Sequence, residues 1–478
     1  MTIPDPSPMG LGFALCLPWL VGIAGAGLLF PTGRPGRKPI IVGVGYFLGI
    51  WLATLVLRLT DLLGLTVGFT VPALILLLTG VLFTVLTHKY ASAHEGPAAG
   101  QENTSNLTKF LALLLVMMIG WRLFTDLGIV IEQPLFGWDA MMNWAPKAIV
   151  WFHQGQLTDF VDPSAWLLTG SEQGHYTLGN GPAATYPEMV PLIYLWHMLG
   201  AGTWDSPLLQ LPWVLAAINL GLAVYGFLRM RHVPMLVSVL GCYVLLSLPY
   251  LNVHTAIGGY ADLWLACAFG IGGITLHQLE VKPSRGMTLV VLFMALMCMQ
   301  LKNPGIILGL ILLLGITRIW IGLSWRSELL ILLATASIIA IGFGLGLNIN
   351  LAGVGPVHLS MKEFQLGLFG PYDFSFRVDA TQPVIRSLFA MGNWHLLWYL
   401  AAIGIGWKLT GIARPQRPGT LALILISVSI LYFIVFFLSS YYYHAVSFIT
   451  LNRAILYVVP GLVFWIFTLW IPQDENIT

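Results

Sequence analysis

Apolar runs of the length a helix needs to cross a hydrocarbon layer of about 30 Å recur from one end of this chain to the other. They predict spans near residues 10–31, 40–57, 66–87 and 109–131. After a long polar interval, further spans are predicted near 207–228, 233–251, 261–279, 286–301, 304–322, 327–350, 387–411, 419–439 and 452–471. The expectation is an all-α polytopic membrane protein with about thirteen transmembrane helices. Helices are the open-chain elements that satisfy their own backbone groups in lipid.

Three intervals interrupt the pattern. Residues 132–206 form a large polar and aromatic loop expected to carry short interfacial helices, 351–386 form a second connector, and the linker from His88 to Thr108 is small and polar, with Gly and Ala. Inside the large loop, the apolar run Val190–Leu199 is shorter than a span and is restricted by Pro187 and Pro191. It predicts an interfacial or re-entrant helix. The organisation that follows is 1–108 as N-terminal accessory spans and linker, 109–471 as the transmembrane core, and 472–478 as a cytoplasmic tail. The first apolar run has no basic region before it and no small-residue cleavage site before Pro31, and so predicts a retained span.

Composition agrees with the pattern. Of 478 residues, 57% are hydrophobic and only 9% charged, against roughly 25% charged in soluble domains. The 18 Trp and 16 Tyr suit a chain with many membrane interfaces. A net charge of +2 gives no reason to expect a nucleic-acid partner. Cys16, Cys242, Cys267 and Cys298 are scattered singly in apolar runs and read as buried spectator thiols.

Charge does set an orientation. Arg34/Arg37/Lys38, Arg229/Arg231, Lys282/Arg285, Arg318/Arg326 and Lys408/Arg414/Arg417 fall on one side when the spans alternate and 190–199 does not cross. Basic loops mark the cytoplasmic side. The large loop, the 351–386 connector and the loops around Asp262, Lys302 and Tyr441–Thr450 then face the extracytoplasmic side of an inner or plasma membrane. The sequons at Asn103 and Asn106 lie inside on this topology and read as chance.

Four polar features stand out on that outer face. The first is the stretch Phe136–Ala148, with Trp138, Asp139, Asn143 and Lys147. A carboxylate there can accept a proton from a hydroxyl or hold a cation beside a phosphate, and Asp before Ala-Met-Met is equally a helix N-cap. Asn143 and Lys147 follow Asp139 at helical spacing, but Pro146 interrupts the ladder. Trp138, Trp144, Trp151 and Trp166 read mostly as an interface belt, with sugar stacking as the functional alternative.

The second feature is Gly258-Gly259-Tyr260-Ala261-Asp262-Leu263-Trp264-Leu265-Ala266, with an acid at the mouth of a span, where pairing, function or helix capping accounts for it. The third is Gln300-Leu301-Lys302-Asn303-Pro304-Gly305, a lysine in a sharp break, suited to phosphate as a point charge or to snorkelling at a turn. The fourth runs from His444 to Arg453, an outer-face arginine that calls for an anionic partner, as does Arg386. His153, His175 and His197 are isolated, and no metalloprotease or serine-hydrolase motif is placed on the outer face.

Together these elements resemble the GT-C superfamily of polytopic glycosyltransferases, particularly the bacterial branch related to protein mannosyltransferases and aminoarabinose transferases. The matching elements are Trp138-Asp139, Tyr186-Pro187-Glu188-Met189-Val190-Pro191, GYADLWLA, LKNPG, and a late arginine-containing span ending Val459-Pro460, across roughly residues 109–471. The resemblance implies an inverting enzyme that moves a sugar from a polyprenyl-phosphate carrier to a glycan, lipid or protein acceptor. It puts Asp139 at the acceptor hydroxyl and Lys302 and Arg453 on the lipid phosphate, with Arg386 and Lys147 as further cations. Trp138, Asn143, Tyr186 and His444 would line the substrates.

The chain departs from the family pattern in two places. Asp139 is followed by Ala140 where two adjacent acids are usual, so a second acid has to come from Glu172, Glu188 or Asp262; Pro304 replaces a frequent Glu. Both leave a divalent metal open as a cofactor. The reading from a different class is a transporter or flippase of lipid-linked sugars. It would use the same cations, but calls for internal repeats and broken helices in matching halves.

Overall fold

The first apolar runs fold as α1 (Pro8–Leu29) and α2 (Arg37–Leu62), followed by α3 (Thr70–Ala91) and α4 (Asn106–Glu132). Local signals start two of them: the Ser7 and Ser105 hydroxyls accept the backbone N–H of Gly10 and Thr108, satisfying donors that a helix start leaves open. This computed structural model describes residues 4–469 except 31, 92–103, 170–173, 323–324, 352–354, 368 and 410–418. Most of the predicted linker with Asn103, together with Glu172, Arg414, Arg417 and the 472–478 tail, lies outside the described residues.

The large polar loop holds a π-helical turn, Ala140–Trp144, that runs into α5 (Ala145–Gln154). It continues through α6 (Pro163–Thr169), a 3₁₀ turn at Gly181–Thr185 and α7 (Met189–Ala201). After the 3₁₀ turn Pro207–Gln210 come α8 (Leu211–Met230), α9 (Met235–Leu246), α10 (Pro249–Ala256), α11 (Ala261–Val281), α12 (Arg285–Leu301), α13 (Asn303–Ile321) and α14 (Trp325–Leu345). Four strands follow: β1 (Leu347–Leu351), β2 (Gly355–Leu359), β3 (Glu363–Leu366) and β4 (Phe369–Asp373). The chain then returns to helix as α15 (Thr381–Phe389), α16 (Leu397–Leu409), α17 (Thr420–Phe437), α18 (Tyr442–Val446) and α19 (Ile449–Thr468).

The chain is a mostly helical multi-pass membrane protein. By length and apolarity eight described helices can cross a bilayer: α1, α2, α3, α4, α8 with its preceding turn, α13, α17 and α19. The count is nine if α9 and α10, bent by 64°, make one span. Against the expectation of about thirteen, fewer helices meet this test among the described residues. The run 327–350 is cut where α14 gives way to β1, and 387–411 is divided between α15 and a 13-residue α16. α12 has only 17 residues, and α11 carries Asp262, His277, Gln278 and Glu280.

The second difference is the sheet. β1 to β4 form an antiparallel meander in chain order, with Leu347 opposite Leu359 and Val357 opposite Leu366. The alternation in Leu347-Asn-Ile-Asn-Leu351 is a strand pattern of period two, which the long apolar run before it masks. A bridge between Phe374 and Ser439 ties the sheet to the end of α17.

α11 sits at the centre. Every residue from Ala261 to Leu279 is buried, and α8, α10, α12, α13, α17 and α19 surround it. A run of rings crosses this core: Tyr194 of α7 lies 5.0 Å from Trp213 of α8, which lies 6.0 Å from Trp264 of α11, and Trp264 stacks at 5.7 Å on Tyr46 of α2. Two of the polar handles are used, with Trp213 Nε1 donating to the Tyr260 carbonyl and the Tyr46 hydroxyl to that of Pro212, while the Tyr194 hydroxyl and Trp264 Nε1 are buried without a partner. α2 is thus part of the same core as α8 and α11.

α7 has 13 residues, or about 20 Å of helix, short of a bilayer. It is buried nearly throughout and packs on α1, α2, α5 and α12. The Trp196 indole N–H donates to the Ala14 carbonyl at 2.8 Å. Replacing this enclosed ring, Trp196→Ala, is expected to destabilise the protein by about 3–5 kcal/mol. Trp196→Phe should cost far less. Unfolding of the purified variants in detergent, titrated with a denaturing surfactant, checks both.

Candidate active site

The site is built where two glycine-bearing segments meet. Gly259 has a left-handed backbone (φ 94°), and a Cβ there would lie 2.4 Å from the Tyr194 hydroxyl and 2.5 Å from Ala140 Cβ. A Cβ on Gly137 would lie 2.4 Å from the Tyr260 ring. Side chains at either position would drive apart the segment bearing Asp139 and the segment leading to Asp262. The π-helical turn that follows Asp139, an irregularity common at functional sites, then hands the chain to α5 through Pro146.

Asp139 makes no side-chain cap bond; its carboxylate is paired with the Arg453 guanidinium. That observation separates the two sequence readings of Asp139, because a capping carboxylate would face its own helix. The Asp139 N–H donates to the Tyr260 hydroxyl at 3.4 Å, and Arg453 lies 4.9 Å from the centre of the Tyr260 ring. Tyr260 therefore braces both partners.

Asp262 stands in the first turn of α11, with its carboxylate 1% exposed. Oδ1 accepts from Lys302 Nζ at 2.9 Å and from the Tyr457 hydroxyl, while Oδ2 lies 4.0 Å from the Arg453 guanidinium and has no hydrogen-bond partner. Lys302 occupies the extended break between α12 and α13 (φ −163°, ψ 151°). Pro304 lacks the N–H that would carry the helix through, so the break is written in the sequence.

Four charges therefore alternate in the order Asp139, Arg453, Asp262, Lys302. A single buried ion would cost several kcal/mol, and alternation offsets that cost. The N-terminal ends of α11, α13 and α19 also meet here, adding the partial positive charge of their N–H groups. Against two carboxylates, the cluster offers two cations and three helix starts, a field that attracts an anion. The orphaned Asp262 Oδ2, and the buried and unpartnered Gln300 Oε1 and Asn303 Oδ1 at the break, are polar atoms open to a further partner.

The remaining sequence candidates go elsewhere. Glu188 pairs at 2.8 Å with Arg58 of α2, so the second acid beside Arg453 is Asp262 and not Glu188. Lys147 is buried, donates to the Ala184 carbonyl at 3.1 Å and lies over the Phe160 ring. It does not share a bonding face with Asp139, because the π turn and Pro146 change the register between them. Asn143 accepts the Asn180 N–H at 2.9 Å and braces the returning loop.

Among the aromatic candidates, Tyr186 packs on Trp144 at 5.3 Å and takes a hydrogen bond from Asn180. Its hydroxyl, near Asp139, Arg453 and Tyr441, has its pKa raised chiefly by burial. It is the residue of the Tyr-Pro-Glu segment that faces the cluster. Trp138 is half exposed, while Trp144 and Trp151 are enclosed and belong to neither a belt nor an open platform. His444 stacks near Tyr441 at 4.5 Å, and Arg386 lies 5.8 Å from the Phe448 ring.

The residues that the sequence reading passed over are Tyr457, Tyr250 and His254. Tyr457 carried a signal, since it follows Arg453 by four residues and so shares its helix face. Tyr250 borders Arg453 and meets His254 edge-on at 4.9 Å, and His254 meets Tyr260 in the same way at 5.5 Å. The bend between α9 and α10 brings both inward, and no local pattern announces it. Among the described residues, no group of three or more His, Cys, Asp or Glu side chains could hold a metal ion.

Two outcomes follow. Lys302→Met leaves Asp262 short of its closest cation and is expected to cost about 3 kcal/mol, with Asp262→Asn in the same chain recovering most of it. A double-mutant cycle on unfolding in detergent reads this. Burial lowers the Lys147 pKa from 10.5 to about 8, opposed by Glu188. Because the unfolded chain then binds the extra proton, stability should rise with pH between those two values and level off above them. Lys147→Met should flatten that rise in a pH series of unfolding midpoints.

Comparison with protein-family models, with curated proteins and with solved structures gives no match for this chain. What the fold itself establishes is a polytopic, mostly helical membrane protein.

Proposed function

We propose that this protein is a membrane glycosyltransferase that moves a sugar, with inversion, from a polyprenyl-phosphate donor to an acceptor hydroxyl on the extracytoplasmic face. The observation that carries the reading is the alternating Asp139, Arg453, Asp262, Lys302 cluster, set at one end of an apolar bundle. A lipid donor reaches such a site from the bilayer, and its phosphate needs fixed cations as it leaves. Arg453 and Lys302 supply them.

In this mechanism the donor phosphate takes Arg453 from Asp139. The freed Asp139 carboxylate accepts the proton of the acceptor hydroxyl as its oxygen attacks the anomeric carbon, and the bond from that carbon to the phosphate oxygen breaks on the opposite face. Asp262, held by Lys302 and Tyr457, keeps both cations in position. The acceptor is a glycan, a lipid or a protein. A divalent metal that the resemblance allows would draw on Asp139 and Asp262; Arg453 engages Asp139 Oδ2 and Lys302 and Tyr457 engage Asp262 Oδ1, while Asp262 Oδ2 has no hydrogen-bond partner.

A flippase of lipid-linked sugars gains one supporting observation, the 64° bend between α9 and α10, because broken helices are a transporter device. Reconstituted protein separates the two readings. With a labelled polyprenyl-phosphate sugar, Asp139→Ala is expected to lower transfer by about 10²-fold or more while membrane insertion is kept. Lys302→Ala and Arg453→Ala should weaken donor binding more than acceptor binding. Full transfer by Asp139→Ala removes that residue from the mechanism, and sugar carried across the bilayer without transfer favours the flippase.

A further inference from the structure

At the other end of α8, some 30 Å of helix away from Tyr260, the loop between α1 and α2 borders an open, shallow cavity of about 450 Å³. Arg34, Arg37 and Lys38 line it from the loop and the first turn of α2, Arg229 from the last turn of α8, and Tyr225 closes the wall; among its described lining residues there is no carboxylate. Arg37 is held in place by carbonyls, Nε donating to Phe30 at 3.0 Å and a terminal nitrogen to Gly27 at 2.9 Å. Carbonyl partners fix the guanidinium without cancelling its charge. Gly36, which begins α2, provides no side-chain cap.

The position gives the ligand. α1 ends at Leu29, α2 begins at Arg37 and α8 ends at Met230, so the cavity opens where three bilayer-length helices reach the membrane boundary. Basic pockets between helices at that level hold anionic headgroups. We infer that this cavity is a phosphate-binding site, remote from the carboxylate cluster and filled by the headgroup of an anionic lipid or by a free phosphate from water. Arg37 and Arg229 make the fixed part of the site, Arg34 completes it from the loop and Lys38 from the first turn of α2.

The test uses the full-length protein in neutral detergent, followed by native mass spectrometry. Phosphatidylglycerol, phosphatidylcholine and inorganic phosphate are titrated separately onto the wild type and onto Arg34→Ala/Lys38→Ala, a pair chosen because neither side chain clamps α1 as Arg37 does. Expected is retention of phosphatidylglycerol over phosphatidylcholine, with affinity lower by on the order of tenfold in the double variant. Retention of inorganic phosphate, lost in the same variant, also supports the site and assigns its source to water. Equal binding of all three probes, or binding unchanged in the variant, overturns it. A matching unfolding midpoint of the two proteins in phosphatidylcholine ensures that the loss is not one of folding.

Discussion

A carboxylate that is 1% exposed cannot stand alone in an apolar bundle, and the arrangement of the central helices follows from that constraint on Asp262. Its charge is satisfied by a lysine in the break between α12 and α13, by a tyrosine of α19, and by the arginine one turn earlier on α19. Three helices are therefore fixed at their starting ends by one side chain. The same arginine reaches on to Asp139 and so fixes the large polar loop as well. Packing supplies most of the cohesion of the bundle, but this chain of charges sets the register in which the helix ends meet.

Much of this was legible in the sequence, and the reason is the cost of polar groups in lipid. Asp139, Asp262, Lys302 and Arg453 stood out because apolar surroundings leave few uses for a charge, and the structure brings all four together. Pro304 announced the break that presents Lys302. The short run before Leu199 was kept out of the span count by its length, its prolines and the side of the basic loops, and α7 is a 13-residue helix.

What the sequence hid has equally physical causes. An apolar run says that a segment is buried, not by what. Enclosure in protein and enclosure in lipid select similar residues, and α11, enclosed by six other helices, reads in the sequence like a lipid-facing run. The meander β1–β4 was missed because its first strand continues an apolar run without a break. The contacts of Glu188 and Lys147 were hidden because a charge in a polar aromatic loop is visible in sequence while its partner is not. Their partners, Arg58 and the Ala184 carbonyl, lie 130 and 37 residues away.

The longest of these separations bears on how the protein is made. Asp139 and Arg453 are 314 residues apart. At cellular rates of synthesis, the loop carrying Asp139 is made on the order of tens of seconds before the helix carrying Arg453 exists. Until then Asp262 also lacks its tyrosine partner, and Lys302 alone ties the starts of α11 and α13 together. The charge cluster is therefore the last part of the molecule to close, and a chain released before α19 would hold a nearly complete bundle with an incomplete site.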